Sequence, residues 1–343
     1  MTLKKANINW DSLGFDLVQT RSMYTAYCRA GQNWEKGSLI PYGNIELSPG
    51  AVVLNYGQGV FEGTKAFQTL DGRVALFRID KNAERIAWST ERLCIPKMNH
   101  DFFIDAVFKT VKDNLDFVPP YGKGSLYIRP IVWGTSPALG VRPAKDYRFV
   151  IYVSPVGPYF KGDIKLLNLK IETNYHRAAP KGIGNAKAIG NYSASLFPLA
   201  KAKEQGFDEV IYLDAISGDR IEEIGSANIF VYHNGILKTP NVSGSILDGV
   251  TRDSVCKIAT EILELEVQET DIFLSDLFSA DEVFCTGTAV QITPVGTVTH
   301  NNTLHKYNNG DIGPVTKKLK KTLTKIQRGE SNDLFGWLFP VNI

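Results

Sequence analysis

Cysteine is scarce, with only Cys28, Cys94, Cys256 and Cys285 in 343 residues. They lie far apart and form no CxxC or other metal-ligand spacing. That excludes a zinc ribbon or a disulfide-stapled scaffold and leaves reduced thiols used for packing. The histidines, His100, His176, His233, His300 and His305, show no HExxH or paired-ligand spacing, so no metal site and no metal hydrolase is expected. No GxxxxGK[ST] phosphate loop occurs. An excess of one charge is also missing: Lys+Arg 38 against Asp+Glu 36 leaves a formal net charge of +2, short of the basic balance of nucleic-acid domains. Met1-Thr-Leu-Lys-Lys-Ala-Asn-Ile-Asn-Trp10 has two lysines with no apolar run behind them, so neither a signal peptide nor a membrane span is expected, and a cytoplasmic location is. Repeats and low-complexity segments are absent.

What is present is a mixture of strand and helix signals, with 43% hydrophobic content, enough for two cores. Ala51-Val-Val-Leu-Asn-Tyr56, Val74-Ala-Leu-Phe77, Ser125-Leu-Tyr-Ile-Arg-Pro-Ile-Val-Trp133 and Tyr147-Arg-Phe-Val-Ile-Tyr-Val153 read as strands, with helices at roughly 80–93 and 101–115. Ser154-Pro-Val-Gly-Pro-Tyr-Phe-Lys-Gly-Asp163 interrupts regular structure and suits an interdomain connection. Beyond it come a helix ending at Gly206, a strand Glu209–Leu213, and a hairpin turning at Asn234-Gly235 after Asn228-Ile-Phe-Val-Tyr232. A helix at 250–264, a strand Glu282–Cys285 and a last helix at about 314–327 follow. Too many strands are hairpin-linked for a doubly wound parallel sheet. The expectation is therefore an α/β (α+β) chain with a smaller N-terminal domain over 1–158, an interdomain loop over 159–175 and a larger C-terminal domain over 176–343.

Two suggestive strings carry little. Gly57-Gln-Gly59-Val-Phe-Glu-Gly63 is spaced GxGxxxG and opens no βαβ unit, so it is not a dinucleotide fingerprint. Lys317-Lys-Leu-Lys-Lys-Thr-Leu-Thr-Lys-Ile-Gln-Arg328 is basic, but Val315, Leu319, Leu323 and Ile326 form one stripe. The lysines then read as the wet face of a terminal core helix, not as a nucleic-acid or membrane surface.

Four segments can carry chemistry. Lys181-Gly-Ile-Gly-Asn-Ala-Lys187-Ala-Ile-Gly-Asn-Tyr192 sets a lysine among small and apolar residues with no carboxylate nearby in sequence. Such a lysine is either a solvated loop residue or a desolvated amine primed for a Schiff base, with glycines that admit a flat cofactor. In Glu222-Glu223-Ile-Gly-Ser226 an acidic pair starts a buried strand, and an inward carboxylate there can hold a proton on a pyridine nitrogen; the alternative is a solvated hairpin. Ile246-Leu-Asp-Gly249-Val250-Thr251-Arg252 opens a helix either as an anion site or as an ordinary start capped by Asp248. Thr286-Gly-Thr288-Ala289 offers hydroxyls and turn N–H groups at a strand end. In the first domain Asp80 can cap a helix with stripe Ala83, Ile86, Ala87, Thr90 and Leu93. Arg85 borders that stripe and can clamp a phosphate.

Together with Leu54-Asn-Tyr-Gly-Gln-Gly-Val-Phe-Glu-Gly63, Leu76-Phe-Arg78, Leu126-Tyr-Ile-Arg-Pro130, Leu139-Gly-Val141, Ser154-Pro-Val-Gly157, Asn228-Ile-Phe-Val231, Gly249-Val-Thr-Arg252 and Val283-Phe-Cys-Thr-Gly-Thr-Ala289, these segments resemble the branched-chain amino-acid aminotransferases of pyridoxal-phosphate fold type IV, in their plant-like and bacterial forms. The resemblance implies a two-domain fold with pyridoxal 5′-phosphate at the domain interface, in a homodimer whose subunits complete each other's sites. It implies Lys187 as the Schiff-base lysine, carried by the C-terminal domain, and as the proton shuttle. Glu223 becomes the ring-nitrogen partner and Tyr192 the tyrosine near the 3′-oxygen. Arg85, Val250, Thr251 and Thr288 become the phosphate cup, with Ser226 as accessory donor. Tyr127, Arg129, Thr288 and Ala289 match the carboxylate-receiving group, and Phe61 and Tyr159, with Tyr56 and Val141 of a neighbouring subunit, the apolar pocket. Small-molecule amino acids and 2-oxo acids are the implied partners: L-leucine, L-isoleucine and L-valine with 2-oxoglutarate. Where some animal relatives carry a redox CxxC, this chain has Val290-Gln-Ile-Thr293; Thr64 and Ala188 also depart from the expected pattern. A D-amino-acid transaminase or aminodeoxychorismate lyase would keep Lys187 and Glu223 and differ in the carboxylate pocket. A binder of the cofactor without catalysis is the more remote reading.

Overall fold

A computed structural model describes residues 4–157, 159, 165–242 and 244–342. The chain forms two compact units. One comprises Met1–Tyr159, Ala186–Gly190 and Lys325–Ile343, the other Phe160–Asn185 and Asn191–Thr324. Part of the expected connection, residues 158 and 160–164, lies outside the described residues. The expected loop over 159–175 is shorter than read, because Leu167–Glu172 is already a strand.

The first unit holds an eight-stranded antiparallel sheet. Its order is Leu338–Pro340, Val74–Phe77, Thr64–Gln68, Ser125–Gly134, Asp146–Val156, Ser22–Arg29 and Ser38–Pro41, with Gly59–Phe61 also against Ser125–Gly134. The long central pair runs in register from Ser125 opposite Val156 to Gly134 opposite Tyr147, and alternate residues Leu126, Ile128 and Val132 are buried, the period-two pattern of a half-covered strand. Helices Ile79–Arg92 and His100–Asp113 join this core: Ala83, Ile86 and Phe103, Ala106, Val107 pack with Leu126 and Phe149. Asn99 caps the second helix, accepting from the Phe102 N–H at 3.1 Å, a device worth about 1 kcal/mol.

Two local expectations fail here. Ala51–Tyr56 is not a strand; Val52–Tyr56 is a short helix with only Val52 buried, closed by Gly57 at φ 66. Its Val-Val-Leu run imitates a strand, but Leu54 is exposed to solvent. Asp80 is not the cap of helix Ile79–Arg92. The residue there is Arg78, left-handed at φ 50, its guanidinium buried 4.7 Å from the Trp337 ring.

In the second unit, strands follow the order Ile221–Ile224, Glu209–Leu213, Leu167–Glu172, Gln291–His300, Glu282–Gly287, Ala227–His233, Ile236–Thr239 and Glu266–Glu269, with Thr303–Lys306 beside Gln291–His300. Ile221–Ile224 also pairs with Ala227–His233, closing the first six strands of that order into a ring. Parallel pairs occur where Leu167–Glu172 meets Glu209–Leu213 and Gln291–His300. The Asn234-Gly235 turn appears as read, both residues at positive φ (49 and 85). Helix Val250–Glu261 buries Val255, Ile258 and Ala259. Helix Pro314–Gln327 buries Leu319, Leu323 and Ile326, half-buries Val315 and exposes Lys317, Lys318, Lys321 and Lys325; Lys320 departs from the expected wet face by being half-buried. Its first turn donates to the buried Glu282 carboxylate, from Val315 N–H at 2.9 Å and Thr316 N–H at 2.8 Å.

The cysteines are free. Cys28 and Cys285 are buried and Cys256 is partly so, burial pushing both Cys256 and Cys285 up to about 12; Cys94 departs from the packing expectation by being exposed. No helix among the described residues is long and apolar enough to cross a membrane.

Candidate active site

Lys187 packs with the first unit and not with the C-terminal domain expected to carry it. The cause is a set of backbone bonds. Its N–H donates to Ser89 Oγ at 3.0 Å, its carbonyl accepts from the Phe61 N–H at 3.1 Å, and Ala188 bridges to Val60. Gly59 packs tightly beside it: a Cβ there would lie 3.0 Å from Ile189 Cδ1 and 3.2 Å from the Val132 carbonyl oxygen. The half-buried ammonium lies 4.8 Å from the Phe61 ring centre.

The reading of Lys187 as remote from carboxylates holds along the chain but not in space. Glu62, fully buried, lies close enough to feel its charge. Glu62 grips Arg85 through two bonds, Nε to Oε1 at 2.7 Å and a terminal nitrogen to Oε2 at 2.8 Å, and also accepts from Asn82 Nδ2 at 2.7 Å and from the Gly63 N–H at 3.1 Å. Burial pulls its carboxyl up, but Arg85, Lys187 and Asn82 outweigh that and hold it below the ordinary carboxylate range. Sequence reading gave Arg85 but missed Glu62, whose only signal is a carboxylate inside an apolar strand run.

Phe61 also lies 4.7 Å from the Arg129 guanidinium, which donates to the Tyr127 hydroxyl at 3.2 Å. Phe15 meets Tyr127 and Tyr159 edge-on, at 5.2 and 4.9 Å between centres. Gly63 stands where Tyr127 leaves no room for a Cβ. Lys65, the register partner of Tyr127, is buried and pulled down to about 7 by burial. It was not singled out from the sequence. Phe61, Tyr127, Arg129 and Tyr159 thus gather around one aromatic and cationic patch with Lys187. Tyr56 is not part of those contacts; its hydroxyl donates to the Leu139 carbonyl, in a loop that exposes Leu139 (96%) and Val141 (84%).

In the second unit both members of the acidic pair turn inward: Glu222 is 5% and Glu223 2% exposed. Glu223 pairs with Arg177 at 2.5 Å and accepts from Asn228 Nδ2 at 3.0 Å. Asn228 also donates to the Leu247 carbonyl at 2.9 Å, tying this carboxylate to the loop that starts helix Val250–Glu261. Gly249, and not Asp248, is that helix's N-cap, and it makes no side-chain cap bond; a Cβ there would collide with Asn228 Oδ1. The helix therefore opens with the backbone of Val250 and Thr251, the positive end of its dipole. Thr288 and Ala289 form the turn after strand Glu282–Gly287, and the buried Thr286 Oγ1 has no partner among the described residues. Ser226 is exposed in the hairpin turn and Tyr192 lies in the short helix Ile189–Ser193. Arg177 and Ser245 were missed, because their significance depends on pairing far along the chain.

These features fit an aromatic cofactor with an anionic tail. The buried carboxylate suits a protonated ring nitrogen, and the N-terminal end of helix Val250–Glu261 suits a phosphate. Residues 59–298 match the amino-transferase class IV family, whose members use pyridoxal phosphate. The chloroplastic branched-chain amino acid aminotransferase 2 of Humulus lupulus is 46% identical over 98% of this chain and 82% of its own length. A methionine aminotransferase of Arabidopsis thaliana is 41% identical over 99% of this chain and 95% of its own. Among solved structures, the branched-chain amino acid aminotransferase of Escherichia coli superposes with a TM-score of 0.79 at 29% identity, covering 94% of this chain and all (100%) of that one. Sequence and fold agree: the chain belongs to the class IV aminotransferases, among the branched-chain-amino-acid aminotransferases.

Proposed function

We propose that this protein moves the amino group of L-leucine, L-isoleucine or L-valine to 2-oxoglutarate, giving a branched-chain 2-oxo acid and L-glutamate in two alternating half-reactions. The observation that carries the reading is the buried Glu223 carboxylate with its arginine and asparagine, in a chain whose relatives are named branched-chain aminotransferases. Pyridoxal phosphate supplies an electron sink for the electrons of the substrate Cα–H bond. Lys187 holds the cofactor by its amine and carries the proton between the substrate Cα and the cofactor C4′. Glu223 keeps a proton on the ring nitrogen, and Tyr192 serves the 3′-oxygen. Arg85, the Val250 and Thr251 N–H groups and Thr288 hold the phosphate, with Ser226 in support. Tyr127, Arg129, Thr288 and Ala289 receive carboxylates, Arg129 taking the γ-carboxylate of glutamate.

Phe61 and Tyr159 contact the apolar side chain, and Tyr56 and Val141 reach the site of a second copy. The homodimer this requires is supported by the solvent-facing Leu139 and Val141. Light scattering that finds only monomer at micromolar concentration would remove it. The named activity of the Arabidopsis relative favours a second amino donor, L-methionine. One panel tests all of this: L-leucine, L-isoleucine, L-valine, L-methionine and D-leucine are added to the cofactor-loaded protein and the cofactor spectrum is followed. Conversion by the L-branched donors is expected, and conversion by D-leucine alone would overturn the proposal. Differences of one methylene are worth only about 1–3 kcal/mol, so the panel also ranks the donors.

A further inference from the structure

Adjacent strand residues normally face opposite ways, yet Glu222 and Glu223 are both buried. The register explains it. Ile221 lies opposite Leu213 and Glu223 opposite Tyr212, so Glu222 is the extra residue of a bulge, which re-aims its side chain. Ser245 then connects the two acids: its hydroxyl donates to Glu222 Oε1, and its carbonyl accepts from Arg177, the partner of Glu223. Glu222 Oε2 is buried with no partner among the described residues, and no ion pair among them includes Glu222. An ionised carboxylate with one hydrogen bond is far costlier to bury than the neutral acid. Charged or titratable groups that act on it are Arg177, Asp214 and His176, with Glu223 beside it in the chain. Burial raises its carboxyl above the ordinary range, more than Ser245 and Arg177 lower it.

We propose that Glu222 is a positioning residue that works as an uncharged acid: it fixes Ser245 and hence Arg177, and by staying neutral leaves the arginine's charge to Glu223. This rests on the reading of Glu223 as the ring-nitrogen partner. Ionising Glu222 would place a second anion beside one arginine, so cofactor binding should weaken as pH rises past its raised value.

The test measures pyridoxal phosphate affinity of the full-length wild type, Glu222→Gln and Glu222→Ala from about pH 5 to about pH 9, together with denaturant stability of the cofactor-free proteins. Glutamine imitates the neutral acid at every pH, so the alkaline weakening of affinity should shrink at least about threefold in Glu222→Gln. Glu222→Ala should bind about tenfold more weakly even at the acid end, since Ser245 loses its acceptor. Without cofactor, the wild type should lose stability relative to Glu222→Gln as pH rises from the ordinary carboxyl range to the raised value, because only the folded chain keeps that proton. Parallel pH profiles of wild type and Glu222→Gln in both measurements would overturn the proposal, as would an alanine variant indistinguishable from wild type. If Glu222→Ala does not fold, the glutamine profiles decide. Glu223→Gln run alongside separates the two readings: an unchanged cofactor spectrum and affinity there would remove the ring-nitrogen role, while the cofactor-free stability slope judges Glu222 independently.

Discussion

Both units bury a carboxylate against an arginine, and the pairs Glu62–Arg85 and Glu223–Arg177 are held differently. Glu62 in the first unit has both oxygens bound, by two nitrogens of Arg85, an amide of Asn82 and a backbone N–H. Glu223 in the second pairs with Arg177 and accepts from Asn228, and its neighbour Glu222 accepts from Ser245. Under the proposed function the two differ in role: Glu62, with both oxygens bound, is locked as an anion and serves as scaffold, while Glu223 serves the cofactor.

Four outcomes would sharpen or break that contrast. The largest concerns the proposed Schiff-base amine. Lys187→Ala should lose cofactor absorbance and about 10⁴-fold or more of transamination, and retention of full activity would remove the proposed chemistry. Next, Glu62→Ala leaves Arg85 buried without its counterion and should cost about 3–5 kcal/mol in denaturant unfolding. The pH dependence has a definite sign. Because Glu62 is held below the ordinary range, its stabilisation is present above that range and lost as pH falls through the depressed value, so wild type and Glu62→Gln should converge in acid. If they stay equally far apart, the anionic scaffold reading is wrong. Third, Glu223→Gln should keep the cofactor but slow single-turnover proton abstraction about a hundredfold, and an unchanged rate would make Glu223 another scaffold residue. The smallest effect belongs to Gly249→Ala, whose Cβ displaces Asn228; a loss of about 1–3 kcal/mol in cofactor binding or stability is expected, read by titration and melting.

Elements that follow from local pattern were legible in the chain. Strand Glu209–Leu213 coincides with its apolar run, the Asn234-Gly235 turn has the positive φ its residues favour, and the stripes of helices Ile79–Arg92 and Pro314–Gln327 face inward. Misreadings arose where a local signal had two solutions. Val52-Val53-Leu54 has β-branched residues but no sheet partner beyond the bridge at Ala51, and Asp80 was available as a cap but Arg78 took the turn, anchored by Trp337. The candidate site was legible as a set of residue types, not as a wiring diagram. Glu62 with Arg85, Arg177 with Glu223 and Ser245 with Glu222 are joined by tertiary geometry that no spacing rule encodes. The placement of Lys187 beside the first sheet likewise depends on bonds from Ser89 and Phe61, which composition cannot display.

The ring of strands in the second unit also orders the assembly of the molecule in time. Its Glu223–Asn228 contact is made across a hairpin between neighbouring strands, whereas the complete ring also needs Leu167 to find Val295 from the far end of the same unit. Short loops close early and long ones late, because the entropy of closure grows with the chain between the partners. The carboxylate's nearest neighbour is thus expected to form before the ring is complete, and pulse-labelled hydrogen exchange should find Ile224 and Ala227 protected earlier than Leu169 and Val298.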